Sequence, residues 1–159
     1  MKSNISRFSL YFGLLLILIS QSLIAQNLTD YAIIDLNAPN QSVLLEQYSG
    51  NPQVFFNESQ KPALYVYNQM LMGRMVNNLF VYVQTQPGVL NYGGGAISNA
   101  NIDDYADILS GWSAVVKGSI IIHSADVFSG SEGAMLKSKL ESLTGCTVVM
   151  SMSLQPFSN

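Results

Sequence analysis

"GSIIIHSADVFSGSEGAMLKSKLESL", Gly118 to Leu143, is the stretch that decides the fold. Its apolar run Ile120–Ile122 is consistent with a buried strand and leads into a turn of small and polar residues. A helical pattern follows, with Ser129 or Ser131 as the predicted N-cap and Gly145 as the predicted stop. A strand, a turn and a helix in this order are typical of α/β proteins, in which ligands and reactive groups gather at such turns.

Strand-like and helical segments alternate along the rest of the chain. Apolar runs of strand length cover residues 31–36, 53–57, 78–84 and 146–154. Helical spacing of apolar residues covers residues 39–50, 62–75 and 99–116. The glycine triplet Gly93–Gly95 predicts a hairpin tip or a flexible crossing loop.

The alternation and the apolar character of the strands together predict the architecture. Continuous apolar runs such as "SIIIHS" and "TVVMS" indicate strands that are buried on both faces of a sheet. We therefore expect an α/β fold: a three-layer sandwich whose mostly parallel sheet of five or six strands carries helices on both faces.

The first segment has the features of an export signal. Lys2 and Arg7 precede the apolar run "FSLYFGLLLILISQSLIA", which ends at the small residue Ala25. We expect residues 1–25 to be a signal peptide and residues 26–159 to form one domain, exported to the periplasm, the cell surface or the medium. The alternative is a retained membrane anchor, since this run approaches the length of about 20 residues that spans a bilayer.

The charge of the chain excludes nucleic-acid binding, and its cysteine content excludes an intrachain disulfide. Beyond the signal segment, ten acidic residues outnumber five scattered basic ones, so the chain lacks the basic patch that nucleic-acid binding requires. Cys146 is the only cysteine, so no intrachain disulfide forms and the apolar core must hold the domain together. We expect Cys146 to be a small buried apolar residue.

A family resemblance rests on three segments: "IIDLNAPNQSVLLEQ", "NLFVYVQTQPGVLNYG" and the long stretch from "NIDDYADILSGWSAVVKG" to "LTGCTVVMS". The chain resembles a bacterial domain-of-unknown-function family found at the start of large secreted adhesin-like and cadherin-repeat proteins. That family is itself similar to caspase-like cysteine peptidases. The resemblance therefore implies a caspase-like fold and a His/Cys dyad at the ends of two neighbouring strands.

The dyad that the resemblance implies is degenerate in this sequence. Gln84 stands at the position of the histidine and Ala125 at that of the cysteine, with Asp126 at the family's asparagine and His123 at its tyrosine. An amide is not a useful base near neutral pH, and a methyl group cannot attack a carbonyl. We therefore expect no dyad chemistry and no catalytic residue here.

The remaining reactive groups do not replace the dyad in a simple way. His123 and Cys146 are the only imidazole and thiol, and they belong to opposite ends of adjacent parallel strands. Ser124 is the best surviving nucleophile, but neighbouring strand residues point to opposite faces, which turns it away from His123. Asp103, Asp104 and Asp107 do not indicate a calcium or acid/base cluster, because the helix N-terminus explains the first two and no loop of alternating oxygen donors is present.

The sequence thus predicts a secreted, non-catalytic module that binds a protein or a peptide, with neither a cofactor nor a metal ion. Its predicted cleft is lined by Gln84, Thr85, His123, Ser124, Ala125 and Asp126. One alternative is a divergent secreted cysteine- or serine-dependent hydrolase, for which Ser124 is the serine candidate. Another is a membrane-tethered partner subunit that keeps its N-terminal segment.

Overall fold

A computed structural model describes residues 28–57 and 63–152 of the chain. The signal-peptide prediction for residues 1–25 lies outside the described residues. Within the described part, no helix is both long and apolar enough to cross a bilayer.

Five parallel strands form the central sheet, in the order β2-β1-β3-β7-β8. The register is continuous across the middle of the sheet, where Val81 of β3 lies between Ile33 of β1 and Ile122 of β7. The strands are β1 (Thr29–Asp35), β2 (Val54–Asn57), β3 (Val76–Tyr82), β7 (Ser119–His123) and β8 (Thr147–Ser151). The prediction of a parallel sheet of five strands is confirmed.

Helices cover both faces of this sheet, as predicted. Alternate strand residues such as Ile33 and Val81 pack with α2 (Ala63–Leu71), α3 (Ala106–Ser110), α4 (Trp112–Val115) and α5 (Gly130–Thr144). The intervening residues, such as Ile34 and Tyr82, face α1 (Gln41–Tyr48). The side-chain alternation of a strand therefore divides the apolar residues between two cores.

Coverage is uneven at one edge. In β8, Val149 is 37% exposed and Met150 39% exposed, so the apolar run there does not mean burial on both faces as the sequence indicated. The reason is position: β8 is an edge strand, and on the face of Val149 the apolar residues of α1 pack against those of β1, β2 and β3 instead of reaching β8.

A second, antiparallel sheet separates β3 from the helical segment that follows. It consists of β4 (Gln84–Gln86), β5 (Val89–Tyr92) and β6 (Gly95–Ser98). Its first turn contains Gly88 at φ +73°, and residues 93 and 94 form its second turn. The glycine triplet thus belongs to a hairpin, and Gln84 belongs to β4 rather than to the end of the third strand.

The predicted single helix over residues 99–116 is wrong in detail. A 3-10 helix (Ile102–Tyr105) precedes α3, and Gly111 separates α3 from α4. At that junction the Gly111 amide donates to the Ile108 carbonyl, only three residues back, instead of four as in an α-helix. The apolar stripe nevertheless faces the core, because Leu109 and Trp112 on either side of the break are both buried.

The strand-turn-helix segment from which the fold was inferred forms as expected. Helix α5 starts after Ser129, which takes the extended backbone of an N-cap residue. It ends at Gly145, whose left-handed backbone (φ 66°) lets its amide donate to the Glu141 carbonyl.

Candidate functional site

A shallow pocket lies beyond the carboxyl ends of β3, β7 and β8. Its volume is about 230 Å³. The residues that line it are Pro39, Thr85, His123, Ser124, Ala125, Asp126 and Met152. Pockets at this end of a parallel sheet are the usual ligand sites of α/β proteins, because the turns after the strands leave room there.

The structure brings together five of the six residues that the sequence assigned to the cleft. The exception is Gln84, which is exposed and does not line the pocket. Its neighbour Thr85 does, since consecutive residues of β4 point to opposite sides of that strand. Ala125 lies at the tip of the turn after β7 and is exposed.

The hydroxyl of Ser124 holds the turn between β7 and α5 in place. Its oxygen accepts hydrogen bonds from the amides of Asp126 (3.1 Å) and Val127 (3.0 Å). These two bonds occupy both lone pairs of a hydroxyl oxygen. The single proton of Ser124 is then left for Thr85 Oγ1 at 2.7 Å or Asp126 Oδ1 at 3.3 Å. Ser124 is 6% exposed, and its bond from the Val127 amide is buried, whereas the other three bonds are part-buried.

The imidazole of His123 lies beside this turn and not within it. Its ring packs against the Tyr82 ring at a centroid distance of 5.2 Å. Burial lowers the pKa of His123, and a hydrogen bond to the Ser151 backbone acts in the opposite direction. The ring is therefore neutral near pH 7, and its Nδ1 is buried with no hydrogen-bond partner.

The charge of the pocket comes from Asp126. This half-buried carboxylate is in hydrogen-bond contact with the Ser124 hydroxyl, which also holds the turn. The seven residues that line the pocket include no lysine or arginine. With His123 neutral, nothing among these residues cancels the negative charge.

Asp35 is a buried carboxylate that fills the position next to the pocket. The sequence did not single it out. Strand order reverses between β1 and β3, and a ligand is expected at that switch point. Asp35, at the end of β1, is fully buried there and accepts four hydrogen bonds. The donors are Asn37 N (3.0 Å), Gly93 N (2.9 Å), Asn57 Nδ2 (2.7 Å) and Tyr67 Oη (3.1 Å). The only sequence signal was a lone carboxylate at the end of an apolar run.

The antiparallel sheet that carries Thr85 is fastened at two further points. The Gly88 amide donates to the Val127 carbonyl at 2.8 Å, which joins the first hairpin turn to the turn after β7. Beyond β6, the Asn99 side-chain amide donates to the Glu132 carboxylate of α5 at 2.9 Å. The pocket wall is thus bound to the central sheet through Asp35, to the turn after β7 through Val127 and to α5 through Glu132.

Comparison with known protein families identifies the family of this chain. The model of the family described as domain of unknown function DUF4347 matches residues 31–155, which includes every described helix and every strand except the first two residues of β1. The chain belongs to this family. No curated protein is significantly similar to it, and no solved structure is.

Cys146 has the place that the sequence predicted for it. It is buried and precedes β8, whereas Ser151 at the far end of β8 pairs with His123. Five residues at about 3.3 Å each put roughly 16 Å between the thiol and the level of the imidazole. Burial also raises the pKa of the Cys146 thiol, which disfavours the reactive thiolate.

The acidic residues near residue 103 serve helix contacts. Asp103 forms an ion pair of 2.6 Å with Lys139 of α5, and Asp103 and Asp104 occupy the first turn of the 3-10 helix. Asp107 lies in the first turn of α3 and is exposed. In the two described ranges, no three His, Cys, Asp or Glu side chains are grouped as metal binding would need.

Proposed function

We propose that this DUF4347 domain is a secreted, non-catalytic module of caspase-like ancestry that binds a protein or peptide segment at the pocket. The engagement of the Ser124 hydroxyl carries the proposal. A nucleophilic hydroxyl needs a free lone pair and a base that accepts its proton. Here two backbone amides occupy the oxygen, and among the residues that the structure describes Asp126, at 3.3 Å, is the only titratable group in hydrogen-bond contact with it.

The positions of the degenerate dyad support the same proposal. Ala125 stands in the pocket where the resemblance expects the cysteine, and it brings only a methyl group. Gln84, at the expected histidine, has its side chain outside the pocket lining. His123 is present but packs on Tyr82 rather than on a nucleophile.

Binding is the role that the pocket's construction favours. A polar turn, two apolar rims and a wall fastened by several hydrogen bonds make a fixed concave surface beside a sheet edge. Sites of this kind recognise ligands through shape and a few placed polar groups. Export follows from the N-terminal segment and is part of the proposal.

Activity probes distinguish this proposal from the hydrolase alternative. Protein purified after export is incubated with serine- and thiol-directed probes and then digested, and the labelled peptides are mapped by mass spectrometry. We expect no label on Ser124 and no turnover of peptide or ester libraries. The matched variants are Ser124→Ala and Ser138→Ala, the latter on the exposed side of α5.

A label mapped to Ser124 in the native protein would overturn the proposal, as would turnover abolished by Ser124→Ala and kept by Ser138→Ala. Mapping the label to a residue guards against a Ser124→Ala variant that simply unfolds. The same mass spectrum tests the membrane-tethered alternative, because a retained N-terminus would contain residues 1–25.

A further inference from the structure

We infer that the pocket binds a basic side chain, lysine or arginine, presented by an extended polypeptide partner. The inference rests on the proposed function and names the ligand chemistry of the same site.

The polar part of the pocket offers acceptors and one negative charge. Asp126 supplies a carboxylate, and Thr85 supplies a hydroxyl oxygen, which lies in hydrogen-bond contact with the Ser124 hydroxyl at 2.7 Å. Ser124 is saturated by the turn, so the charged contact available to a ligand is the Asp126 carboxylate. A charged donor makes the strongest hydrogen bond to such a group.

The surroundings of Asp126 leave its charge uncompensated. His123, the nearest imidazole in the lining, is kept neutral near pH 7 by its burial. Two of the basic residues on the described part of the chain are already paired elsewhere, Lys137 with Glu141 and Lys139 with Asp103. The excess of acidic over basic residues in the whole chain adds a field that attracts cations.

The rims of the pocket suit the rest of a basic side chain. Pro39 and Met152 contribute apolar surface on the pocket lining, and Met152 is 73% exposed. The stem of lysine or arginine is a chain of methylenes that packs on apolar surface while the charged head reaches a polar group. A volume of about 230 Å³ accepts one such side chain but not a folded domain.

Other side chains fit this chemistry less well. A carboxylate would meet Asp126 with like charge and would find no donor among the lining side chains except hydroxyls. A purely apolar side chain would cover Asp126 and remove its water without giving it a partner.

The single histidine of the sequence gives a direct readout. The imidazole resonance of His123 is followed by NMR while acetylated, amidated arginine, lysine, citrulline and glutamate are added separately. Citrulline matches arginine in shape but lacks the charge. We expect arginine and lysine to shift the resonance saturably, with affinity at least roughly tenfold higher than citrulline, and glutamate to leave it unchanged.

Two variants of the carboxylate test the assignment. Asp126→Asn keeps Oδ1 for Ser124 but removes the charge. Arginine and citrulline should then bind this variant with about equal affinity. Asp107→Asn removes an exposed carboxylate on α3 and should leave the preference intact. Asp126→Lys should reverse it, so that glutamate binds and arginine does not.

Equal binding of arginine and citrulline, or an unchanged preference in Asp126→Asn, would overturn the inference. Hexapeptide pools with one fixed central residue separate this failure from failure of the proposed function. Pools that bind without a basic residue would leave a binding module and refute the basic-side-chain assignment. Labelling or turnover at Ser124 would instead refute the proposed function itself.

Discussion

Replacing Asp35 by alanine should destabilise the protein more than any exposed substitution. Four donors converge on this carboxylate, and they come from β1–α1, β2, α2 and the second hairpin turn. Asn37 is exposed and Gly93 is half-buried, so water replaces the lost acceptor at those two amides. Asn57 and Tyr67 are buried to within 1% of complete and lose a buried acceptor.

The size of the effect follows from those two buried donors. Leaving a buried donor without its acceptor costs about 1–3 kcal/mol, so two such donors cost about 2–6 kcal/mol. We expect a loss of about 3 kcal/mol, because water enters part of the space that alanine leaves. That is a large share of the roughly 5–15 kcal/mol that stabilises a domain, and it lowers the thermal midpoint by about 10 °C.

Urea denaturation followed by far-UV circular dichroism measures the loss. Asp35→Asn is the sharper variant, since it keeps the shape but sets an amide N–H against two of the donors, and it should cost about 2 kcal/mol or more. Asp107→Asn, on the surface of α3, is the control and should change stability by less than about 0.5 kcal/mol. If both Asp35 variants lost less than about 1 kcal/mol, the four-donor network would not be what holds these elements together.

Three further predictions concern packing, alkaline pH and thiol access. Gly133→Ala should destabilise by more than about 1 kcal/mol, because a Cβ there would collide with the Phe128 backbone. Gly111→Ala has room and should stabilise by about 0.5 kcal/mol, so the two variants should shift the urea midpoint in opposite directions. Burial raises the pKa of Tyr82 to about 12, so the neutral phenol favours the folded state. The stability that this group contributes is complete below pH 10 and is lost as the pH rises toward 12. In a series of denaturation curves at different pH values, Tyr82→Phe should remove that part of the loss of stability at alkaline pH. Cys146 is buried, so Ellman's reagent should react only as fast as the protein opens, and immediate stoichiometric reaction of the folded protein would contradict the burial.

The sheet was predictable because its signal is local. Residues 31–36 and 53–57 were assigned from branched and aromatic residues, and the observed strands Thr29–Asp35 and Val54–Asn57 differ by one or two residues at their ends. Helix α5 was equally clear, since a serine before it and Gly145 after it mark both ends. The local sequence alone, however, did not determine which face a neighbouring element would cover, and so the exposure of Val149 was missed.

The features that depend on distant partners were not predictable. Asp35 reads as an interruption of an apolar run, and its donors lie up to 58 residues away in the chain. The break at Gly111 was missed because apolar spacing is nearly the same for an α-helix and for short helices joined in line. Of the site, the grouping of residues 123–126 follows from one turn, but the choice of Thr85 over Gln84 depends on how β4 is oriented.

The hydrogen bonds that hold the β4–β6 sheet in place affect how quickly a partner can associate. Because this sheet is tied at Gly93 to the central sheet and at Gly88 to the turn after β7, opening it would expose the Asp35 carboxylate while it lacks one of its donors. Thr85 is therefore held in position before any ligand arrives. A site of this kind requires no ordering step on encounter, so association should follow single-exponential kinetics that rise linearly with ligand concentration, without the plateau that a slow closing movement imposes.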